Sequence, residues 1–231
     1  MLKKAINIFI VLFSLSCICS TALAQDEDDR RNGAVINPDG IELVYVEGTG
    51  DDSTAIRSFY IGKFEVTQAQ WRAVMGNNPS TFGGANLPVE MVNWDEIQEF
   101  FTQLNARTGR NYRLPTEAEW EFAARGGTAE SFCPNGCEYS GSNNLHDVGW
   151  FSRNSKHRTQ PVGSKQANEL GIHDMSGNLR EWCQITEGSG HVLRGGGWNL
   201  PAALCNIAFR FSFVPTSRSC VNGFRVVLPS L

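Results

Sequence analysis

Long apolar runs, histidine and excess positive charge are all scarce in this chain. The apolar run from Ala5 to Leu15 stands near the start, and no later stretch reaches the eighteen or so apolar residues that a spanning helix needs. Lys and Arg number 20 against 24 Asp and Glu, for a formal net charge of -4, and charged residues make up 19%. That leaves no basic surface for phosphates, so nucleic acid is not an expected partner. With 4 His in 231 residues, sites built on clustered imidazoles are disfavoured as well. What is plentiful is apolar and turn-forming: 41% hydrophobic residues, 23 Gly, 9 Pro and 6 Trp. This composition fits one domain with a sizeable core, whose loop-rich backbone is held by large aromatic anchors.

The N-terminus reads as an export signal. Lys3 and Lys4 precede the apolar run, and Ala22-Leu23-Ala24 offers a small-x-small cleavage site before an acidic linker over about residues 25–37. A second cleavage competes, because Phe13-Ser14-Leu15-Ser16-Cys17 resembles a bacterial lipobox that would make Cys17 the lipidated N-terminus. Either cleavage exports the chain, as an outer-surface lipoprotein or as a secreted or periplasmic protein. Membrane contact is then expected only through a lipid anchor. Cleavage after Ala24 leaves Cys133, Cys137, Cys183, Cys205 and Cys220, an odd set that implies a free thiol or an intermolecular bond. Cys133-Pro-Asn-Gly-Cys137 closes over a turn and favours a local disulfide; zinc ligation there would need two further ligands that nothing nearby supplies.

Residues 38–231 read as one domain without repeats. Ile41–Val46 and Ser58–Phe64 have strand character. Three helix starts follow, at the capping pairs Thr67/Gln70, Asn93/Glu96 and Thr116/Glu119, with expected stops at Gly76, about Gly109 and Gly126. Trp71, Val74 and Met75, then Ile97, Phe100, Phe101 and Leu104, then Trp120 and Ala123 form their core faces. Beyond Gly126 the helical period disappears into Gly-, Asn- and Ser-rich segments punctuated by Trp150, Trp182 and Trp198, and such long loops are usually functional.

Six ordered motifs carry a resemblance: Phe64-Glu-Val-Thr-Gln-Ala-Gln-Trp71, Leu87-Pro-Val-Glu-Met-Val-Asn-Trp94, Tyr112 to Arg125, Asp174-Met-Ser-Gly-Asn-Leu-Arg-Glu-Trp182, Leu193-Arg-Gly-Gly-Gly-Trp198 and Gly223-Phe-Arg225. Together they resemble the formylglycine-generating enzyme (sulfatase-modifying factor) family. The resemblance implies an α+β class: an irregular C-type lectin fold with little regular secondary structure. Members that oxidise cysteine hold copper(I) between two thiolates, at positions that here fall on Leu200 and Cys205. With one thiolate missing, copper is not expected, no catalytic residue is assigned, and Cys205 would be catalytic only in an oxidase. A related iron branch would need three histidines, but His146, His157, His173 and His191 lack helical pair spacing. The family's calcium loop maps onto Asp174 and Glu181 with the carbonyls of Gly177 and Leu179, hard oxygens suited to calcium. The alternative is that the two carboxylates cap turns. A second, weaker calcium position falls near Asn143, Asn144 and Asp147.

The segment from about 194 to 225 has a peculiar absence of its own. Between Gly195 and Arg225 there is no Lys, Glu, Asp, Gln or Met, although the rest of the chain uses all five. The residues that fill its variable slots, between frame residues such as Trp198, can all be encoded by codons ending in a pyrimidine, which Lys, Glu, Gln, Met and Trp cannot. Randomising the adenines of Asn codons produces that set, as in the variable proteins of diversity-generating retroelements, the treponemal variable lipoprotein among them. The resemblance thus implies a C-terminal binding face made of Gly197, Asn199, Leu200, Pro201, Leu204, Asn206, Phe209, Phe211, Ser212, Phe213, Val214, Thr216, Ser217, Ser219, Cys220, Val221 and Asn222. Trp198, Arg210 and Phe224 are its expected frame, and Ile207 with Ala208 are expected to be core if a strand runs there. Exposed aromatics such as Phe211 and Phe213 suit a surface that has a partner. The function expected is binding a protein or other surface ligand, on a monomer, with a copper-dependent formylglycine-generating oxidase as the alternative.

Overall fold

The computed structural model describes residues 35–36, 40–50, 55–127, 136–184 and 191–230. Both signal cleavages, Cys17, most of the 25–37 linker and Cys133 lie outside the described residues.

Three helices start on reciprocal capping boxes. In α1 (Gln68–Met75), α2 (Trp94–Thr108) and α3 (Glu117–Ala124), the side chains of Thr67, Asn93 and Thr116 accept from the backbone N–H three residues on. The side chains of Gln70, Glu96 and Glu119 reach back to the cap N–H, so two otherwise orphaned donors are satisfied at each start. Left-handed Gly76 and Gly109 end the first two helices. The third closes on Arg125, one residue before the expected glycine. Among the described residues after it, only a single turn, α4 (Leu145–Val148), and a 3-10 turn over Ala202–Leu204 are helical.

Two four-stranded sheets organise the rest. Antiparallel strands β1 (Val35–Ile36), β2 (Glu42–Val46), β3 (Phe59–Gly62) and β8 (Val227–Pro229) form the first, in the order β1-β2-β3-β8. The second consists of β4 (Arg180–Trp182), β5 (His191–Arg194), β6 (Arg210–Phe213) and β7 (Asn222–Gly223), in the order β6-β5-β4-β7, with β4 and β7 parallel.

Between helices and sheets lies an aromatic core. Trp71 stacks on Phe100 at 5.4 Å, and Phe224 stands edge-on to Trp71, Phe100 and Phe101. These offset and edge geometries add to the area that the rings remove from water. Side chains alternate across the second sheet. The registers Trp182↔Leu193↔Phe211 and His191↔Phe213 put those residues, with Arg180, on one face. Glu181, Arg194, Arg210 and Ser212 take the other. On that second face Arg194 bridges Glu117 and Glu121 of α3, and Arg210 joins Glu117.

Candidate ligand-binding face

The segment after β5 is fixed through its backbone. Trp198 donates its main-chain N–H to the Asn178 carbonyl (2.8 Å) and its indole N–H to the Cys220 carbonyl (2.9 Å), tying together the two ends of the stretch between. Further along, the N–H groups of Met91 and Trp94 donate to the carbonyls of Ser219 and Pro215. Gly196 has φ +77, and a Cβ there would lie 2.6 Å from the Cα of Cys205, so glycine is required on both counts. None of these bonds depends on the side chains from Asn199 to Ser219.

Those side chains face outward to different degrees. Asn199, Pro201, Ser212, Val214 and Thr216 are exposed, with Val214 at 64% the most exposed large hydrophobic among the described residues. Leu200, Leu204, Asn206, Phe209, Phe211, Phe213, Ser217, Ser219 and Cys220 are half-buried. Three expected members of the face are instead interior. Gly197 is buried in the glycine turn; Val221 and Asn222 are buried because the chain has by then entered the sheet, where the N–H of Arg180 donates to the Val221 carbonyl and Arg180 registers with Asn222. Ile207 is core as expected, but no strand runs through it and Ala208 is exposed. Phe211 and Phe213 are not fully exposed rings either: both pack against the core.

A cluster of buried ionisable groups is drawn from three separate parts of the chain. Glu65, Asp174, Glu181 and Arg225 are all buried. Arg225 donates Nε–H to Glu181 Oε2 (2.6 Å) and Nη2–H to Oε1 (2.7 Å), while the Trp120 indole donates to Oε2 (2.8 Å). Glu65 accepts from the Asn178 side chain and the Leu179 N–H, and Asp174 Oδ2 accepts from the Gly163 N–H. Three carboxylates therefore face one guanidinium. Burial, then the neighbouring carboxylates, push Glu65 well above the usual range, and burial raises Asp174 to about 6. Asp174 Oδ1 is buried with no hydrogen-bond partner. Asp174 thus holds the turn at Gly163 through one oxygen, whereas Glu181 caps no turn, since it lies within β4 and pairs with Arg225.

The thiols are dispersed. Cys183, Cys205 and Cys220 are free, and Cys137 is disulfide-bonded. Cys205 packs in a cluster with Leu145, Phe151 and Leu200, and burial raises its thiol to about 11. Cys183 belongs to a separate cluster around Phe59 and Trp120. The histidines are likewise apart: His173 stacks on Phe64, His146 meets Phe151, and His191 meets Trp94. Asn143 and Asn144 hold local turns by accepting from the N–H groups of Glu138 and His146.

Residues 24–229 match the sulfatase-modifying factor enzyme 1-like domain. The chain belongs to this family. It is 34% identical to the chaperone protein LppX of Paenibacillus barcinonensis, over 80% of this chain and 89% of that one. It is 30% identical to the formylglycine-generating enzyme of Thermomonospora curvata over 69% of this chain, and spans 61% of that enzyme's length. Among solved structures it superposes on Treponema denticola variable protein 1 with a TM-score of 0.71 and 28% identity, covering 84% of this chain and 97% of that one. The C-type lectin-like fold expected from the motifs is thereby shown.

Within the sulfatase-modifying factor family, two ions are implied, and the donor sets differ in how well they suit them. Copper(I) does not fit. Leu200 presents no thiolate beside Cys205, burial keeps the Cys205 thiol protonated, and Cys183 sits in another part of the core. Calcium fits the charge of the carboxylate cluster. The unpartnered Oδ1 of Asp174 is a hard oxygen in a region of excess negative charge, with the carbonyls of Gly177 and Leu179 in the same loop. Glu181 is more committed, since Arg225 and Trp120 engage its two oxygens. Among the described residues no three His, Cys, Asp or Glu side chains form a metal-binding group, so an ion here would rest largely on carbonyls.

The motifs left several residues of this site unread. Glu65 stands in the first motif without any local sign that it meets Asn178, and Trp120 gave no sign of bonding Glu181 as well as filling the core. Arg180 stands in the fourth motif with no local sign that it packs against Phe211 and Phe213.

Proposed function

We propose that this protein is an exported ligand-binding protein that uses a noncatalytic sulfatase-modifying factor fold to display a diversified C-terminal face. One observation carries the reading. The chain between Trp198 and Cys220 is fixed by backbone bonds and by its two ends, while its side chains, apart from buried Cys205 and Ile207, stand exposed or half-buried. Such a loop keeps its course whatever side chains it carries. Its aromatics supply anchors and its Ser, Thr and Asn supply adaptable hydrogen bonds, as in antibody loops. The likeness to a variable protein and to the chaperone LppX supports a binding role and export, either lipid-anchored at Cys17 or released after Ala24. The partner is a protein or another surface ligand, bound by a monomer.

Sequencing the gene from many cells of one culture tests the diversification. Substitutions confined to adenine positions in the codons from Asn199 to Cys220, beside a reverse transcriptase gene and a near-copy template, are the expected result. An invariant segment with no such neighbours would overturn it. A second measurement separates the oxidase alternative. The purified protein is expected to retain no stoichiometric copper(I) and to oxidise no cysteine peptide; one equivalent of copper that is lost in Cys205→Ser would reverse that conclusion.

The reading extends to calcium at Asp174. Above about pH 6 the raised carboxyl of Asp174 loses its proton, and a dication binding only the folded state stabilises it by mass action. Millimolar calcium should then raise the melting temperature at pH 7.5, chelator should lower it, and the difference should shrink at pH 5. Identical melting curves in calcium and chelator at pH 7.5 would exclude the ion.

A further inference from the structure

Arg180 is the unpaired charge of the face. It is 9% exposed, its Nε is buried without a hydrogen-bond partner, and among the described residues no carboxylate pairs with it. Its guanidinium lies against Phe211 at 4.9 Å and Phe213 at 4.8 Å. The arginines of the segment from Arg194 to Arg225 are all committed: Arg194 to Glu117 and Glu121, Arg210 to Glu117, Arg218 to Glu96, Arg225 to Glu181. A desolvated cation without a partner is costly, and rings supply only part of what water gave. The same sheet face carries more buried donors left unmatched. The indole nitrogens of Trp94 and Trp182 and the Nε2 of His191 have no partner, and His191 meets both indoles, at 4.9 and 6.2 Å.

Resting on the binding-face reading, we infer that Arg180 is the ligand-recognising centre of this face and takes a carboxylate of an acidic protein partner. The rings of Phe211 and Phe213 lie against the guanidinium and supply it with no hydrogen-bond acceptor. A planar carboxylate meets that fork with two parallel hydrogen bonds. Apolar parts of the partner would lie against the phenyl rings, and the indole and imidazole nitrogens would serve the neighbouring polar groups. Charge agrees, because the segment from Gly195 to Arg225 holds no Asp or Glu to compete for Arg180 or to repel an acidic ligand. Burial also lowers the Arg180 pKa, a shift that a bound carboxylate would reverse.

The test uses benzoate, its methyl ester and inorganic sulfate as probes on the intact protein, with the indole N–H and arginine Nε–H resonances as readout. Benzoate should shift these signals saturably. Methyl benzoate should bind about tenfold or more weakly, and so should benzoate to Arg180→Gln, since a charge-assisted bidentate contact contributes at least that factor. Arg180→Lys keeps the charge but loses the planar fork and should also bind weakly, while melting temperatures confirm that both variants fold. Equal binding of benzoate by Arg180→Gln, equal binding of the ester, or no saturable shift overturns the inference. Sulfate binding more tightly than benzoate overturns the carboxylate assignment in favour of a sulfated or phosphorylated ligand. Peptides selected on the intact protein from a random library separate the two levels. Binders lost in Pro201→Glu and Val214→Glu but kept in Arg180→Gln would sink this inference and leave the face standing; binders indifferent to all three would sink the face itself.

Discussion

Replacing Arg225 by Met is expected to cost about 3–5 kcal/mol or to unfold the domain at neutral pH, the scale seen when one member of a buried ion pair is removed. The side chain has no exposure, and among the described residues it carries the only guanidinium bonded to Glu181, as well as donating to the carbonyls of Gly62 and His173. Its loss leaves Glu65, Asp174 and Glu181 facing one another without a cation. Acid should rescue the variant, and the sign follows from the raised carboxyls. Asp174 titrates at about 6 when folded against 3.8 ordinarily, and Glu65 is raised as well. At Asp174 the folded state therefore binds more protons between those values, so the stability this group allows is fullest below about 3.8 and falls as pH climbs through about 6, and raised Glu65 acts with the same sign. Urea unfolding of both proteins at pH 5 and 7.5 checks this. A loss under about 1 kcal/mol, equal at both pH values, would mean that the carboxylates have another source of countercharge.

Phe224→Ala should cost about 3–5 kcal/mol by the cavity it leaves, whereas Val214→Ser should change stability by no more than about 0.5 kcal/mol. The two residues lie ten positions apart and obey different rules. Phe224 is enclosed by Trp71, Phe100 and Phe101, while Val214 is 64% exposed. Guanidinium unfolding of the single variants reads the difference directly. Comparable losses would mean that frame and face are not separable, and the segment would then be ordinary core.

Features set by neighbours in the chain were legible in the sequence. Thr67, Asn93 and Thr116 announced their helices because a capping box needs only four residues, and the apolar stripes behind them depend on nothing distant. Pairing across the chain was not legible. Val221 and Asn222 look like the residues before them, and what buries them is a parallel register with Arg180, which no local pattern encodes. Ala208 was misplaced for a related reason, since the strand begins two residues later at Arg210. Composition marked the face as a block, whereas the pleat sorts its residues one by one: Ser212 turns out while Phe211 and Phe213 turn toward Arg180. Glu65 was silent because its partners Asn178 and Leu179 stand more than a hundred residues away.

The contact of Arg225 with the Gly62 carbonyl spans 163 residues, and β8 beside it completes the sheet begun by β2 and β3. Closure of so long a loop comes late in folding, because its entropy must be met before the contact gives anything back. During synthesis the face from Asn199 to Cys220 is therefore made before the strand and the arginine that seal the domain. Until then the domain stays open. Any substitution in the face must be compatible with that final step, so a side chain that obstructs the docking of β8 would leave the chain unfolded whatever it does for binding.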